Sequence, residues 1–183
     1  EDPGLYFKPD QYNKPANWWA PRDTTAPEIW AQTGGEITHF VATMGTSGTV
    51  MGAGRGLRKF RSEIVVVGVE PDDAFHGIEG LKHMASSIVP EIYDEGRLDH
   101  RMGVGTEAAY DATVSLARDY GILVGQSSGA AYVAACQVAR RLTEGTVVTV
   151  FCDGGDKYMT TPMWRLALED SGLIGTAPTH AQE

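Results

Sequence analysis

A short run rich in β-formers, Ile37-Thr38-His39-Phe40-Val41-Ala42-Thr43-Met44, passes without a linker into Gly45-Thr46-Ser47-Gly48-Thr49. The run reads as a buried strand, and the stretch from about Thr49 to Arg61 reads as a helix. A strand that enters a helix through so few small residues belongs to a parallel sheet with helices laid over its faces. The helix carries Gly52, Gly54 and Gly56 in its interior. Each lowers helix propensity by about 1 kcal/mol relative to alanine, which is tolerable where a helix packs tightly on a sheet.

The same arrangement recurs along the chain. Ile64 to Glu70 is nearly continuous Val/Ile and ends at Pro71. Ile122-Leu123-Val124 reads as a short strand that meets Gly125-Gln126-Ser127-Ser128-Gly129, followed by an Ala-rich helix from Ala130 to Leu142. A last strand, Val147 to Cys152, runs into Asp153-Gly154-Gly155. Two more helices are expected. One starts at Thr25-Ala26-Pro27-Glu28, where Thr25 and Glu28 form a capping box, and stops at Gly34-Gly35. The other spans Glu107 to Tyr120 and ends at Gly121. The opening EDPGLYFKPDQYNKPANWW reads as loop, as does most of 72–102, with turns at Gly77, Gly80 and Gly96. The fold class is therefore α/β, with an open, mostly parallel sheet flanked by helices. At 183 residues one domain is expected, here residues 1–171, with 172–183 as a flexible tail.

Composition removes several function classes. The fifteen basic residues form no run and the net charge is −9, so no nucleic-acid partner is expected. No apolar stretch approaches a membrane span, and no secretory leader is visible. Cys136 and Cys152 have no spacing motif and read as buried free thiols, which fits a cytoplasmic protein. His39, His76, His83, His100 and His180 show no metal spacing, and no metal site is assigned. Ser127 is not in a nucleophile elbow. Trp18, Trp19 and Trp30 read as core or interface anchors.

The chemistry concentrates at the strand ends. Gly45 to Thr49 lets the backbone approach an anion closely, adds hydroxyl donors, and aims the free N–H groups of a helix start at the same point. A phosphate fits such a cup; a plain tight turn is the structural alternative. A dinucleotide site is the rival ligand reading, since Glu70 closes the next strand where a ribose-binding acid belongs. The spacing is not G-x-G-x-x-G, however, because Thr46 and Ser47 separate the first two glycines. Gly125 to Gly129, taken alone, reads as a helix cap. Cys152 to Tyr158 follows the last strand, and loops at the carboxyl ends of an open parallel sheet converge on a ligand.

Taken together these junctions resemble the pyridoxal-phosphate-dependent cysteine synthase and cystathionine β-synthase family, fold type II, whose architecture is that of the tryptophan synthase β-chain. The family phosphate loop G-T-G-G-T stands here as Gly45-Thr46-Ser47-Gly48-Thr49. Thr24-Thr25-Ala26-Pro27-Glu28-Ile29-Trp30 resembles T-G-P-E-I-W, and GILVGQSSGAA from Gly121 to Ala131 resembles G-I-L-x-G-I-S-S-G-A-A. Val69-Glu70-Pro71 resembles the family strand end, and Gly77-Ile78-Glu79-Gly80 its substrate-facing loop. The resemblance implies pyridoxal 5'-phosphate as cofactor, with Gly45, Thr46, Ser47, Gly48 and Thr49 on its phosphate. It implies a substrate role for Gly77, and for Lys82 if the substrate carries a phosphate. The family serine that faces the pyridine nitrogen corresponds to Gly154, so Asp153 or a water is expected to replace it.

What the resemblance implies about activity is divided. The parent reaction is β-replacement on O-acetylserine or O-phosphoserine with sulfide, giving cysteine; cystathionine β-synthase activity is the nearest alternative and threonine dehydratase-like elimination a weaker one. The family's Schiff-base lysine and its S-G-N-T carboxylate loop lie in the family's N-terminal part, and none of Lys8, Lys14, Lys59, Lys82 and Lys157 stands in the required context. The chain is thus expected to be a C-terminal half, to bind the cofactor poorly alone and to have no catalytic residue of its own. A non-catalytic truncated or partner-binding module is the reading from a different class. The family also implies an amino-acid substrate, a homodimer and a contact with serine acetyltransferase.

Overall fold

The two runs rich in β-formers, 37–44 and 64–70, lie side by side in the middle of a four-stranded sheet in the computed structural model, which describes residues 4–170. Strands β1 (Ile37–Thr43), β2 (Val65–Pro71), β3 (His100–Val104) and β4 (Thr146–Thr149) are ordered β3-β2-β1-β4. Every ladder is parallel; Phe40 faces Val66 on one side of β1 and Val148 on the other. The α/β expectation therefore holds. The 172–183 tail lies outside the described residues.

Period-two alternation sorts the side chains onto two faces. Phe40, Ala42 and Val66 join a core with Met51, Ala53 and Leu57 of α3 (Gly48–Phe60), Ala26 and Ile29 of α2 (Thr25–Gln32), and the half-buried Trp18 of α1 (Ala16–Asp23). Val41, Val67 and Val69 face the other way, against Ala109 of α4 (Thr106–Tyr120) and Ala130, Ala134 and Val138 of α5 (Gln126–Ala139). A final helix, α6, runs Pro162–Asp170. Of the interior glycines in α3, only Gly54 faces the sheet, where a Cβ would touch Val66 at 3.0 Å. Gly56 instead lets the carbonyl of Arg22 approach to 2.6 Å of a Cβ position, so the small face of α3 receives α1 and α2.

That packing explains the largest departure from the sequence reading. Residues 16–23 form a helix despite their tryptophans and Pro21, because the glycine face of α3 accepts its backbone and that close packing overrides weak propensity. Strand β3 was hidden for a different reason. Its side chains are mostly exposed, so no apolar run marks it, and pairing with β2 creates it. The strand read at 122–124 reduces to one bridge, Val124 to Gly154. Gly121 adopts φ 69 as the αL cap of α4, and Ile122 N–H donates back to Leu116, which spends that stretch on ending the helix. Helix α5 starts at Gln126 rather than Ala130, so Gln126 to Gly129 is its first turn and not a loop. Of the two free thiols, Cys136 is half-buried and Cys152 exposed, which corrects the expectation that both are buried.

Candidate functional site

Sheet order decides where the loops meet. The chain leaves β1 toward β2 on one side, while β4 returns on the other, so the carboxyl end of β1 is a switch point. There the loops after β1, β2 and β4 and the start of α5 line one cleft of about 240 Å³. Its walls include Asn17, Gly45 to Thr49, Glu79 to Leu81, Ser127, Cys152, Asp153 and Tyr158. A larger hollow of about 730 Å³ between α4 and α6 has no strand-end loop in its wall.

The loop after β1 has the features of an anion cup. Ser47 sits at the N-cap of α3 with φ 69, a left-handed conformation, and makes no capping bond. Its hydroxyl is buried without a partner. The first N–H groups of a 13-residue helix open at the same place, with the positive end of the helix dipole behind them. A Cβ on Gly45 would lie 2.5 Å from the Gly80 carbonyl oxygen, so the β1 and β2 loops close on each other only through glycine. Asn17 of α1 braces the rim: its amide donates to Thr46 Oγ1 at 2.9 Å and to the Gln11 carbonyl at 2.5 Å. An orphaned hydroxyl, free helix N–H groups and bare backbone fit the phosphate end of pyridoxal phosphate. Asn17 is not legible as a site residue in the sequence because its helix reads there as loop.

The opposite wall carries the acid. Tyr158 OH donates to Asp153 Oδ2 at 2.6 Å, while Asp153 Oδ1 is buried without a partner. That bond, with burial, pushes the Tyr158 phenol up to about 12, so it stays a donor at neutral pH. Burial also pushes the Cys152 thiol up, and Asp153 adds to this, although the residue as a whole is exposed. The thiol therefore stays protonated. Ser127 is 8% exposed and faces the cleft from the first turn of α5, while its neighbour Ser128 accepts the Cys152 N–H at 3.2 Å. Ser127 is not singled out by the sequence because it lacks a nucleophile-elbow context and Gly125 to Gly129 reads as a helix cap. Its place at a strand-end junction was the available signal.

Three expected site residues lie outside the cleft wall. Gly154 bridges to Val124 and caps a 3₁₀ turn (Gly155–Tyr158). Gly77 is held to α4, donating to Thr106 Oγ1 at 3.0 Å and accepting from Tyr110 OH at 2.7 Å. Lys82 donates its backbone N–H to Met44 at 3.0 Å and turns its ammonium over the Tyr12 ring at 4.8 Å. None of the five lysines lines the cleft. Glu70 is buried and both its oxygens are engaged, one with Arg101 at 2.9 Å and one with the Met84 N–H at 2.8 Å. It serves the fold, and the dinucleotide alternative loses its ribose acid. Among the described residues no group of His, Cys, Asp and Glu is placed to hold a metal ion, and no helix is long and apolar enough to cross a membrane.

The profile of the family described as "Pyridoxal-phosphate dependent enzyme" matches residues 1–153. A cysteine synthase of Aquifex aeolicus is 54% identical over 166 residues, which is 88% of this chain and 51% of that protein. Cysteine synthase B of Escherichia coli is 38% identical over 83% of this chain and 50% of its own length. Among solved structures, O-acetyl serine sulfhydrylase isoform 3 from Entamoeba histolytica superposes with TM-score 0.83 at 30% identity, covering 92% of this chain and 55% of that one. The O-acetylserine dependent cystathionine β-synthase from Helicobacter pylori gives 0.78 at 36%, over 84% and 52%. The chain spans about half the length of the curated relatives it matches.

Proposed function

The chain belongs to the pyridoxal-phosphate dependent enzyme family, and from that premise we propose that it is the C-terminal, cofactor-phosphate-binding portion of a cysteine synthase-type β-replacement enzyme. The carrying observation is the convergence of Gly45 to Thr49 and Asp153 on one cleft at a sheet switch point, with the Ser47 hydroxyl buried and unpartnered. When bound, pyridoxal phosphate supplies an electron sink for negative charge at the α-carbon of an amino acid.

The chain's own residues have three tasks in this reading. The amides of Gly45 to Thr49, the Thr46, Ser47 and Thr49 hydroxyls and the start of α3 bind the phosphate, and Asn17 keeps that rim in place. Tyr158 orients Asp153, whose carboxylate in the cleft wall would face the ring nitrogen in place of the family serine. The loop from Gly77 to Leu81, pinned by Thr106 and Tyr110, closes the side from which an O-activated serine and then sulfide arrive. Gly154 contributes backbone only. Lys82 reaches a substrate phosphate only by leaving Tyr12, so O-acetylserine is the favoured substrate. With no lysine in the cleft wall, the chain alone is inactive and its activity requires the polypeptide that supplies one.

A second reading rests on the Helicobacter pylori likeness, which brings cystathionine formation into range with the same activated serine and a different thiol. A homodimer, a contact with serine acetyltransferase and a cytoplasmic location remain part of the proposal on family grounds. The test mixes this chain with a polypeptide covering the other half of the Aquifex aeolicus relative and measures pyridoxal phosphate retained through gel filtration. Ser47→Asp, which tolerates a left-handed backbone but puts a carboxylate in the cup, is expected to abolish retention. Unchanged retention by that variant would remove the cup assignment. Gly48→Trp, the obvious blocking change on sequence grounds, is unsuitable because even a Cβ there lies 2.9 Å from the Asn17 carbonyl oxygen.

A further inference from the structure

A groove of about 370 Å³ runs along the flank of α3 between α1 and Arg97, and shares no lining residue with the cleft. Arg22, Arg55, Arg58, Lys59 and Arg97 line it together with Trp18, and none of its nine lining residues is acidic. On a chain of net charge −9 with only fifteen basic residues, a third of the cations gather on one hollow. Most are accounted for by ion pairs. Arg22 pairs with Asp23 at 2.6 Å, Arg97 with Asp94 at 3.2 Å, and Arg58 with Asp99 while also donating to the Arg97 carbonyl.

Arg55 and Lys59 are not so matched. The Arg55 Nε is buried with no hydrogen-bond partner, and its nearest carboxylate, Asp94, stands 3.8 Å away and is shared with Arg97. That is outside hydrogen-bond range. Burial lowers the Arg55 pKa and the Arg97 charge lowers it further, against the pull of Asp94. Lys59 is exposed and forms no ion pair among the described residues. A buried guanidinium edge without an acceptor is costly, and a bound oxyanion is the partner that a planar fork of donors fits best. Val50 and Met51 are buried behind the wall, and its apolar surface is the half-exposed Trp18 ring, over which Arg55 lies at 4.3 Å and Arg22 at 5.1 Å.

We propose that this groove binds a small molecule carrying a phosphate-class oxyanion on an aromatic body, with Arg55 and Lys59 on the anion and the edge of Trp18 beside the body. Its size falls within the range of small-molecule sites, roughly 300–1,000 Å³. Arg55 and Lys59 stand roughly 10 and 16 Å along the helix from the cup at Gly48, so the two anion sites are separable by mutation.

The test is isothermal titration of the full chain with phenyl phosphate and with inorganic phosphate. Saturable binding of phenyl phosphate is expected, at least ten-fold tighter than inorganic phosphate. Arg55→Gln and Lys59→Glu are each expected to weaken it ten-fold or more, while Ser47→Asp leaves it unchanged. Lys59 is exposed, so its variant keeps the test valid if Arg55→Gln fails to fold. Binding untouched by Lys59→Glu, binding lost only with Ser47→Asp, equal affinity for the two anions, or no saturable binding would each overturn the proposal.

Discussion

At Ser47 a side chain occupies a backbone conformation that favours glycine. The left-handed φ of 69° costs an L-residue about 1–2 kcal/mol, and the family loop quoted above has glycine at that place. The resemblance made the substitution legible; only the dihedral says why glycine belongs there and what serine adds, a buried hydroxyl with no partner but a ligand. Ser47→Gly is expected to raise stability by about 1 kcal/mol in denaturant titration and to weaken pyridoxal phosphate retention several-fold in the reconstituted pair. A second residue-scale prediction concerns Tyr158. Its folded pKa is raised to about 12 from 10.0, chiefly by the bond to Asp153. Between those values the unfolded chain has lost a proton that the folded one keeps, so this contribution is complete below pH 10 and disappears as pH rises toward 12. Asp153→Asn is expected to bring the Tyr158 phenol down in NMR of labelled tyrosine and to flatten that alkaline loss. A phenol still titrating near 12 in the variant would show that Asp153 is not the cause.

Among the elements, those whose stability is local or apolar were legible and those made by their neighbours were not. Strands β1 and β2 and helices α3 and α4 appear within a residue or two of where periodicity and caps place them. Strand β3 has no apolar run to read, and α1 is a helix only because α3 offers it a glycine face. The cleft followed the same division. Gly45 to Thr49 and Asp153 were visible as strand-end loops, whereas Asn17 arrives on the unread helix and Ser127 through a helix that begins earlier than its alanines imply. The contact of α4 with α5 gives an element-scale test. Gly129 packs on Thr113 and the Ala109 carbonyl with no space for a methyl group. Gly129→Ala is expected to cost about 1–3 kcal/mol of unfolding free energy, although alanine favours an isolated helix. A stabilised variant would contradict the close approach.

For the whole molecule, the sheet gathers the proposed cofactor contacts other than Gly154 on one end. Strand β4 is half-exposed along its length and pairs only with β1 among the described residues. The chain spans about half of its curated relatives, and no lysine faces the cleft. These facts fit a portion that binds and orients while another supplies the reactive amine. They also explain why the sequence alone led to the fold and to a candidate anion loop but left the activity to be reconstructed. The most direct measurement is sulfide-dependent formation of cysteine from O-acetylserine when this chain is mixed with a polypeptide covering the other half of the Aquifex aeolicus cysteine synthase. Activity in the mixture, with neither part active alone and none after Ser47→Asp, is the predicted result. A mixture that associates and holds pyridoxal phosphate yet forms no cysteine would contradict the account.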